Sequence, residues 1–233
     1  MLKALLWKEW QEQRWRVALA TVWLLGMTAI GLKTRVLMDA MILGMIWLPT
    51  VTVLPTFIGM GLFASERKAG TLQYLMAQPV GCGPVLAAKV IVGLLAFVTP
   101  LVIEGIVVCL AVGGRELSSA DLASVFVALA ALGLVLFAWQ LLAGLRCRRE
   151  ETYMLASAVV LGCWAIHAVV VGQWNLTERL GFWTWALSPF AIPGLDWGKP
   201  HEVWIVVALQ SLILIGLAFG LWLRFRTLRE SKS

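Results

Sequence analysis

The sequence has little charge and lacks the short motifs that many enzymes use. Only 14% of its 233 residues are charged, against about 25% in soluble domains, and 61% are apolar. It contains two histidines and four cysteines, with no CxxC pair and no HExxH, so neither a zinc site nor a disulfide framework is indicated. A GxxxxGK[ST] phosphate loop is also missing, which excludes ATP binding by that motif. We therefore expect a non-catalytic protein without a cofactor of its own.

The apolar residues are concentrated in runs of about 20, the length that a helix needs to cross some 30 Å of hydrocarbon. There are six such runs: Val17–Leu32, Ala40–Ala64, Lys89–Gly113, Leu122–Leu145, Tyr153–Val171 and Val203–Leu223. This pattern predicts an all-α polytopic membrane protein with six transmembrane helices, organised as a single transmembrane domain over residues 1–233.

Lysine and arginine are distributed unevenly between the two sides of this predicted domain. Six spans place both termini on one side, and fourteen of the 19 basic residues lie on that side. The positive-inside rule then predicts a multi-pass protein of the cytoplasmic (inner) membrane with both termini cytoplasmic. Because the basic residues lie close to the membrane face, they indicate anionic lipid headgroups as partners and not nucleic acid.

Residues 1–16 precede the first run and have an amphipathic pattern. Leu5 and Trp10 lie on one helical face, and Lys8 and Glu12 follow each other on another at i,i+4 spacing. This pattern predicts an interfacial elbow helix that lies in the headgroup plane and turns into the first span. A plain membrane-anchoring helix before a first span has the same pattern.

A polar segment over residues 65–80 separates the second and third apolar runs. Glu66, Arg67 and Lys68 would each cost about 3 kcal/mol at the centre of a bilayer, so they interrupt the hydrophobic pattern. Thr71 can cap a short helical turn that Pro79 ends.

Three apolar residues of that segment fall at helical spacing: Leu72, Leu75 and Met76. A loop that forms an amphipathic helix at the membrane face usually presents it to a partner.

Residues 174–202 form a second organised loop, between the fifth and sixth runs. The loop is rich in tryptophan, phenylalanine and leucine and is interrupted by Pro189, Pro193 and Pro200. Non-helical backbone at membrane depth is tolerated only where protein or a water-filled cavity satisfies it. The loop therefore predicts a re-entrant or interfacial hairpin on the outer side.

Polar residues inside the predicted spans are candidates for function. Glu104, His167 and Gln210 fall at similar depths in the third, fifth and sixth spans. One interpretation is a polar layer that lines a translocation path. The alternative is that Glu104 is protonated or bonded to a neighbouring helix and His167 is a neutral, packed imidazole.

The run ERKAGTLQYLMAQPV within residues 65–80 resembles the cytoplasmic coupling region of ABC-2 type transporter permeases. The amphipathic start resembles their elbow helix, the hairpin over 174–202 resembles their outer re-entrant element, and the LSPF tract resembles their lead-in to the last span. The resemblance implies the membrane subunit of an ATP-driven exporter, with two permease copies and two ATPase subunits that hold ATP and Mg²⁺. It also implies that the coupling residues are Glu66, Arg67, Gly70, Thr71, Leu72, Leu75 and Met76.

Two other functions remain open at this point. A haem-exporter-like membrane subunit of cytochrome biogenesis is also a six-span protein of similar length. A membrane anchor or assembly factor that transports nothing would stimulate no ATPase.

Overall fold

The computed structural model of the chain describes residues 2–33, 40–71, 82–112, 119–147, 149–173 and 200–230. Across these ranges all regular structure is helical, as the sequence predicts. A π-helical turn, Met60–Ala64, joins the second and third helices without a break. The helices are α1 (Leu2–Lys33), α2 (Ala40–Gly59), α3 (Ser65–Ala69), α4 (Cys82–Val112), α5 (Ser119–Arg146), α6 (Glu150–Gln173) and α7 (Pro200–Glu230).

Four stretches of helix are long and apolar enough to cross a membrane within the described part of the chain: Trp47–Ala69, Gly83–Ala111, Phe126–Arg146 and Ile205–Leu223. They coincide with the second, third, fourth and sixth predicted spans. The other two predicted spans lie in α1 and α6, which are 32 and 24 residues long. The count of six spans is therefore not confirmed. In α1 the charged first half leaves an apolar part of only about 16 residues, fewer than the roughly 20 that a span needs.

Helix α1 continues without interruption from Leu2 to Lys33, so a separate elbow helix that ends near residue 16 is not confirmed. The buried face of α1 explains this continuity. Glu9, Gln13, Val17 and Leu24 are all buried, and their spacing of four and seven residues places them on one stripe. This stripe packs against α4 in both halves of α1, which keeps the helix continuous. Residues 174–199 of the predicted re-entrant loop lie outside the described residues.

Contacts between side chains establish the relative directions of the helices. Glu9 of α1 contacts Lys89 of α4, and Thr28 of α1 contacts Glu104 of α4. These contacts follow in the same order along both helices, so α1 and α4 are parallel. In the same way α2 is parallel to α5: Trp47 packs on Phe126 with ring centroids 4.5 Å apart, and Gly59 lies beside Gln140.

The two pairs of helices run in opposite directions. Phe137 of α5 packs against Gly93 of α4, whereas Phe126, which comes earlier in α5, packs against Gly105, which comes later in α4. Helices α4 and α5 are therefore antiparallel. The alternation of directions from α1 to α5 is the one that successive membrane spans require.

Gly59 lies where α2, α5 and α6 meet. A methyl group at this position would lie 2.6 Å from Tyr153 Oη and 3.1 Å from the Gln140 carbonyl oxygen. The Tyr153 hydroxyl donates a hydrogen bond of 2.9 Å to the Thr56 carbonyl oxygen, which lies one helical turn before Gly59. Close approach of the three helices at this junction thus depends on the missing side chain.

We predict that Gly59→Ala lowers stability by about 1–3 kcal/mol, because the methyl group must displace Tyr153 or the α5 backbone. Gly216→Ala in α7 is the matched control, since nothing in the described structure lies within 4 Å of the added methyl group. The measurement is thermal unfolding in detergent, followed by tryptophan fluorescence. Equal midpoints for the two variants would show that the helices are not in close contact at Gly59.

Candidate functional site

The charged part of the 65–80 segment continues directly from α2 and its π-helical turn. Helix α3 ends at Ala69 and is capped by Gly70, whose φ of 73° lies in the left-handed region that favours glycine. The Gly70 N–H donates to the Arg67 carbonyl oxygen at 3.3 Å, and Thr71 Oγ1 donates to the Glu66 carbonyl oxygen at 3.3 Å. These two bonds terminate α3. The predicted turn capped by Thr71, with Leu72, Leu75 and Met76, lies outside the described residues.

Glu66 points into the helix bundle and is paired with two lysines. Its Oε1 lies 2.7 Å from Lys8 Nζ on α1, and its Oε2 lies 2.6 Å from Lys89 Nζ on α4. Lys89 Nζ also lies 2.9 Å from Glu9 Oε1, which in turn is 3.6 Å from Lys8 Nζ. The four side chains therefore form a closed ring of alternating charge, which we call the ion-pair ring (Lys8, Glu9, Glu66 and Lys89).

Most of the ion-pair ring is shielded from solvent. The side chains of Lys89, Glu9 and Glu66 are 0%, 1% and 5% exposed. Lys8 is half-buried, and it extends the ring outward to Glu12 at 3.3 Å. The Lys89 ammonium also lies 5.7 Å from the centre of the Phe63 ring in the π-helical turn, a distance typical of a cation–π contact. Three separate parts of the chain thus meet at one buried ammonium group.

The three acidic side chains near the ring are close enough to ligate a metal ion. The carboxylate oxygens of Glu9, Glu12 and Glu66 lie within 4.8 Å of one another. Lys8 and Lys89 already provide positive charge to these oxygens at ion-pair distance. The ion-pair ring itself carries two positive and two negative charges, and Glu12 adds a third carboxylate at its exposed rim.

Burial and charge act in opposite directions on the two ring members of the first half of α1. Burial alone would lower the pKa of Lys8, but its hydrogen bond to Glu66 and the charges of Glu66, Glu9 and Glu12 together raise that pKa. Burial raises the pKa of Glu9, and the positive charge of Lys89 opposes that shift. Lys8 therefore stays protonated at neutral pH, and ionisation of Glu9 depends on Lys89.

The two residues after Glu66 attach α3 to the connection between α5 and α6. Arg67 donates a hydrogen bond to the Leu145 carbonyl oxygen near the end of α5. Lys68 Nζ lies 3.2 Å from Glu150 Oε2 at the start of α6, and this pair is exposed. The five residues of α3 thus contact α1, α4, α5 and α6.

The predicted intramembrane polar residues lie toward the other end of the bundle. Glu104 is buried and accepts a hydrogen bond from the Thr28 hydroxyl of α1. Its other oxygen, Oε2, has no hydrogen-bond partner among the described residues. Gln210 of α7 is also buried. His167 belongs to α6, and its side chain lies outside the described part of the structure.

Sequence reasoning missed Lys8, Glu9 and Lys89 as members of a site. It placed Lys8 on the polar face of the amphipathic helix and counted Lys89 among the fourteen basic residues that indicate topology. A signal was present for Glu9, because residues 9, 13 and 17 form one helical stripe. The partner across the bundle was not predictable, since its approach depends on the packing of α1 against α4.

We predict that Lys89→Gln lowers the free energy of unfolding by about 3–5 kcal/mol, because it leaves buried Glu9 and Glu66 without their shared cation. The melting temperature should fall by roughly 10 °C. Lys68→Gln is the control, since its exposed pair with Glu150 contributes at most about 1 kcal/mol. The measurement is thermal unfolding of the purified protein in detergent. Equal melting temperatures for the two variants would contradict burial of the ring.

A comparison with protein-family models gives a match to the ABC-2 family transporter protein over residues 7–181. The matched region covers three quarters of the chain and includes the ion-pair ring, α3 and the predicted coupling segment. No curated protein sequence matches the chain significantly. The family match agrees with the all-helical fold and its apolar helices. The chain belongs to the ABC-2 transporter family and is a multi-pass membrane protein of the permease type.

Proposed function

We propose that this chain is the permease subunit of an ATP-driven exporter, and that residues 65–80 transmit movements of a separate ATPase to the membrane helices. The family match over residues 7–181 supports the permease role. The sequence supports a separate ATPase, because a phosphate loop is missing from the 233 residues. ATP and Mg²⁺ then belong to the partner, and the permease has no catalytic residue or cofactor of its own.

The single observation that carries this proposal is the position of α3. Its contacts with Lys8, Lys89 and Glu150 place α3 at the end of the bundle where α1, α4 and α6 begin. The described residues of the 65–80 segment, which reach Thr71, therefore lie at this end. By the positive-inside rule this end is cytoplasmic, which is where an ATPase would dock.

A second permease copy and the surrounding lipid complete the proposed assembly. Helix α1 supports contact with lipid, since Trp7 and Trp15 are 64% and 69% exposed and Arg14 stacks 5.8 Å from the Trp15 ring. Exposed indoles beside a guanidinium are typical of the headgroup region of a membrane. Both termini would lie in the cytoplasm, and the chain would reside in the inner membrane.

The translocation path in this proposal includes Glu104, His167 and Gln210. Glu104 lies fifteen residues after Lys89 on α4, which places it about 22 Å from the ion-pair ring along the helix. A buried carboxyl group with one oxygen unsatisfied is costly at this depth unless it is neutral or meets water in another conformation.

The partner proposal predicts that affinity purification of the tagged, full-length chain from its own membranes recovers an ATPase, and that the isolated chain has no nucleotide affinity. Leu75→Asp should reduce recovery of the ATPase and ATP hydrolysis by the complex, because it places an unpaired carboxylate on the predicted docking face. Hydrolysis by the recovered complex is the measurement.

Gln73→Asp is the matched control, since it adds the same charge about 160° from Leu75 around the predicted helix. It should leave recovery and hydrolysis near the wild-type level. Tight ATP binding by the isolated chain, or equal effects of the two variants, would contradict the proposed docking. Absence of any ATPase from the purified wild type would favour the anchor or assembly factor.

The proposed path predicts that Glu104→Gln changes ATP-driven transport several-fold while the melting temperature stays close to that of the wild type. Gln retains the volume of Glu and still accepts the Thr28 hydrogen bond, so only charge and proton exchange are lost. A cysteine at position 104, in a background without the four native cysteines, should react with a membrane-impermeant thiol reagent in one nucleotide state. Wild-type transport by Glu104→Gln, together with a cysteine at position 104 that does not react, would show that Glu104 only packs against neighbouring helices.

A further inference from the structure

The ion-pair ring is a costly way to hold the bundle together. Transfer of charged groups into a protein interior is so costly that a buried ion pair often contributes less stability than well-packed apolar residues of similar volume. The ion-pair ring nevertheless buries three of its four charged side chains, Glu9, Glu66 and Lys89, in a membrane protein where only 14% of residues are charged. The best-documented use of such groups is to fix one arrangement of elements relative to another.

The pairing within the ring makes three elements interdependent. Each oxygen of Glu66 binds a lysine on a different helix, Oε1 to Lys8 of α1 and Oε2 to Lys89 of α4. Lys89 in turn holds Glu9 of α1. If α3 moved alone, both lysines would lose a partner at once, and Lys89 would stay buried with one acid only. A shift of α3 is therefore coupled to shifts of α1 and α4.

The backbone before α3 is suited to such a shift. The π-helical turn Met60–Ala64 directly precedes α3, and π-helical turns are frequent at functional sites. Its Gly61 leaves the space that the Arg16 guanidinium of α1 occupies, and Arg16 is held there by a 2.8 Å hydrogen bond to Gln13. The first half of α1 thus contacts both the turn and the helix that follows it.

We propose that Lys89 transmits displacement of α3 to α1 and α4 during the transport cycle, through its ion pairs with Glu66 and Glu9. This inference rests on the proposed function, because it takes the ATPase to act on the segment after Gly70. Lys89 and Glu9 are positioning residues in this account. They act through Glu66 and contact neither nucleotide nor ATPase. The N-terminal half of α1 is then a moving part of the permease.

The test separates the ionic link from folding by removing both charges of one pair. Lys89→Gln alone should lower the melting temperature and the coupled activity together. In the double variant Glu66→Gln/Lys89→Gln the unpaired charge on Glu66 is removed, two amides can bond to each other, and Glu9 keeps Lys8 at 3.6 Å. Its melting temperature should therefore lie clearly above that of Lys89→Gln, whereas ATP hydrolysis stimulated by the permease should stay about tenfold lower than in the wild type.

Spin labels at two exposed sites, Lys68→Cys on α3 and Arg14→Cys on α1, report the movement directly in the complex purified with its ATPase. A background without the native cysteines is used. The distance between the labels should stay constant on ATP binding in the wild type, because α1 follows α3, and should change in the double variant. Glu12→Gln, at the exposed rim of the ring, should behave as the wild type does.

Wild-type stimulation of hydrolysis by the double variant, or an unchanged label distance in it, would overturn the role of Lys89. If the proposed function fails, the result is different, because the purified wild-type chain then contains no ATPase. In that case Lys89→Gln would still lower the melting temperature. The ring would then have a structural role only, which also overturns the transmitting role of Lys89.

Discussion

The structure depends on one buried ammonium group. Lys89 lies inside the bundle between two carboxylates, Glu9 of α1 and Glu66 of α3. Without both partners, burial of this charge would be too costly, and the lysine would have to reach water. The requirement to surround Lys89 therefore fixes where α1 and α3 lie relative to α4.

The remainder of the bundle is held by contacts of a different kind. Beyond the ring, the helices pack through apolar side chains and through glycines that admit aromatic rings, as at Gly93 with Phe137 and Gly105 with Phe126. Such packing is close and non-directional. It tolerates little change in side-chain volume, but it does not select charged partners. The bundle thus has a charged end that specifies which helices are joined and an apolar middle that determines how closely they approach. The Thr28–Glu104 hydrogen bond adds a second polar contact between α1 and α4 toward the opposite end.

Much of this fold was predictable from the sequence, because hydrophobic run length is a direct consequence of membrane thickness. The fourth predicted span, residues 122–145, lies within α5, and the family to which local motifs such as the run around Glu66 pointed is confirmed by the match over residues 7–181. The continuity of α1 was not predictable from its charge pattern. Glu9 and Gln13 look like surface residues on their own, but in the bundle Lys89 pairs with Glu9 Oε1 and Arg16 donates a hydrogen bond to Gln13 Oε1. Pairing across 80 positions of sequence is a property of the packed bundle and not of either segment.

The most direct test of the account is the chemical reactivity of the Lys89 amine in the folded protein. The protein in detergent is treated with a water-soluble amine acylating reagent, and modification of each lysine is quantified by mass spectrometry. The account predicts that Lys68, which is 59% exposed, reacts quickly, that Lys89 remains unmodified, and that Glu66→Gln makes Lys89 more reactive. Modification of Lys89 at the rate of Lys68 in the wild-type protein would contradict the buried ion-pair ring.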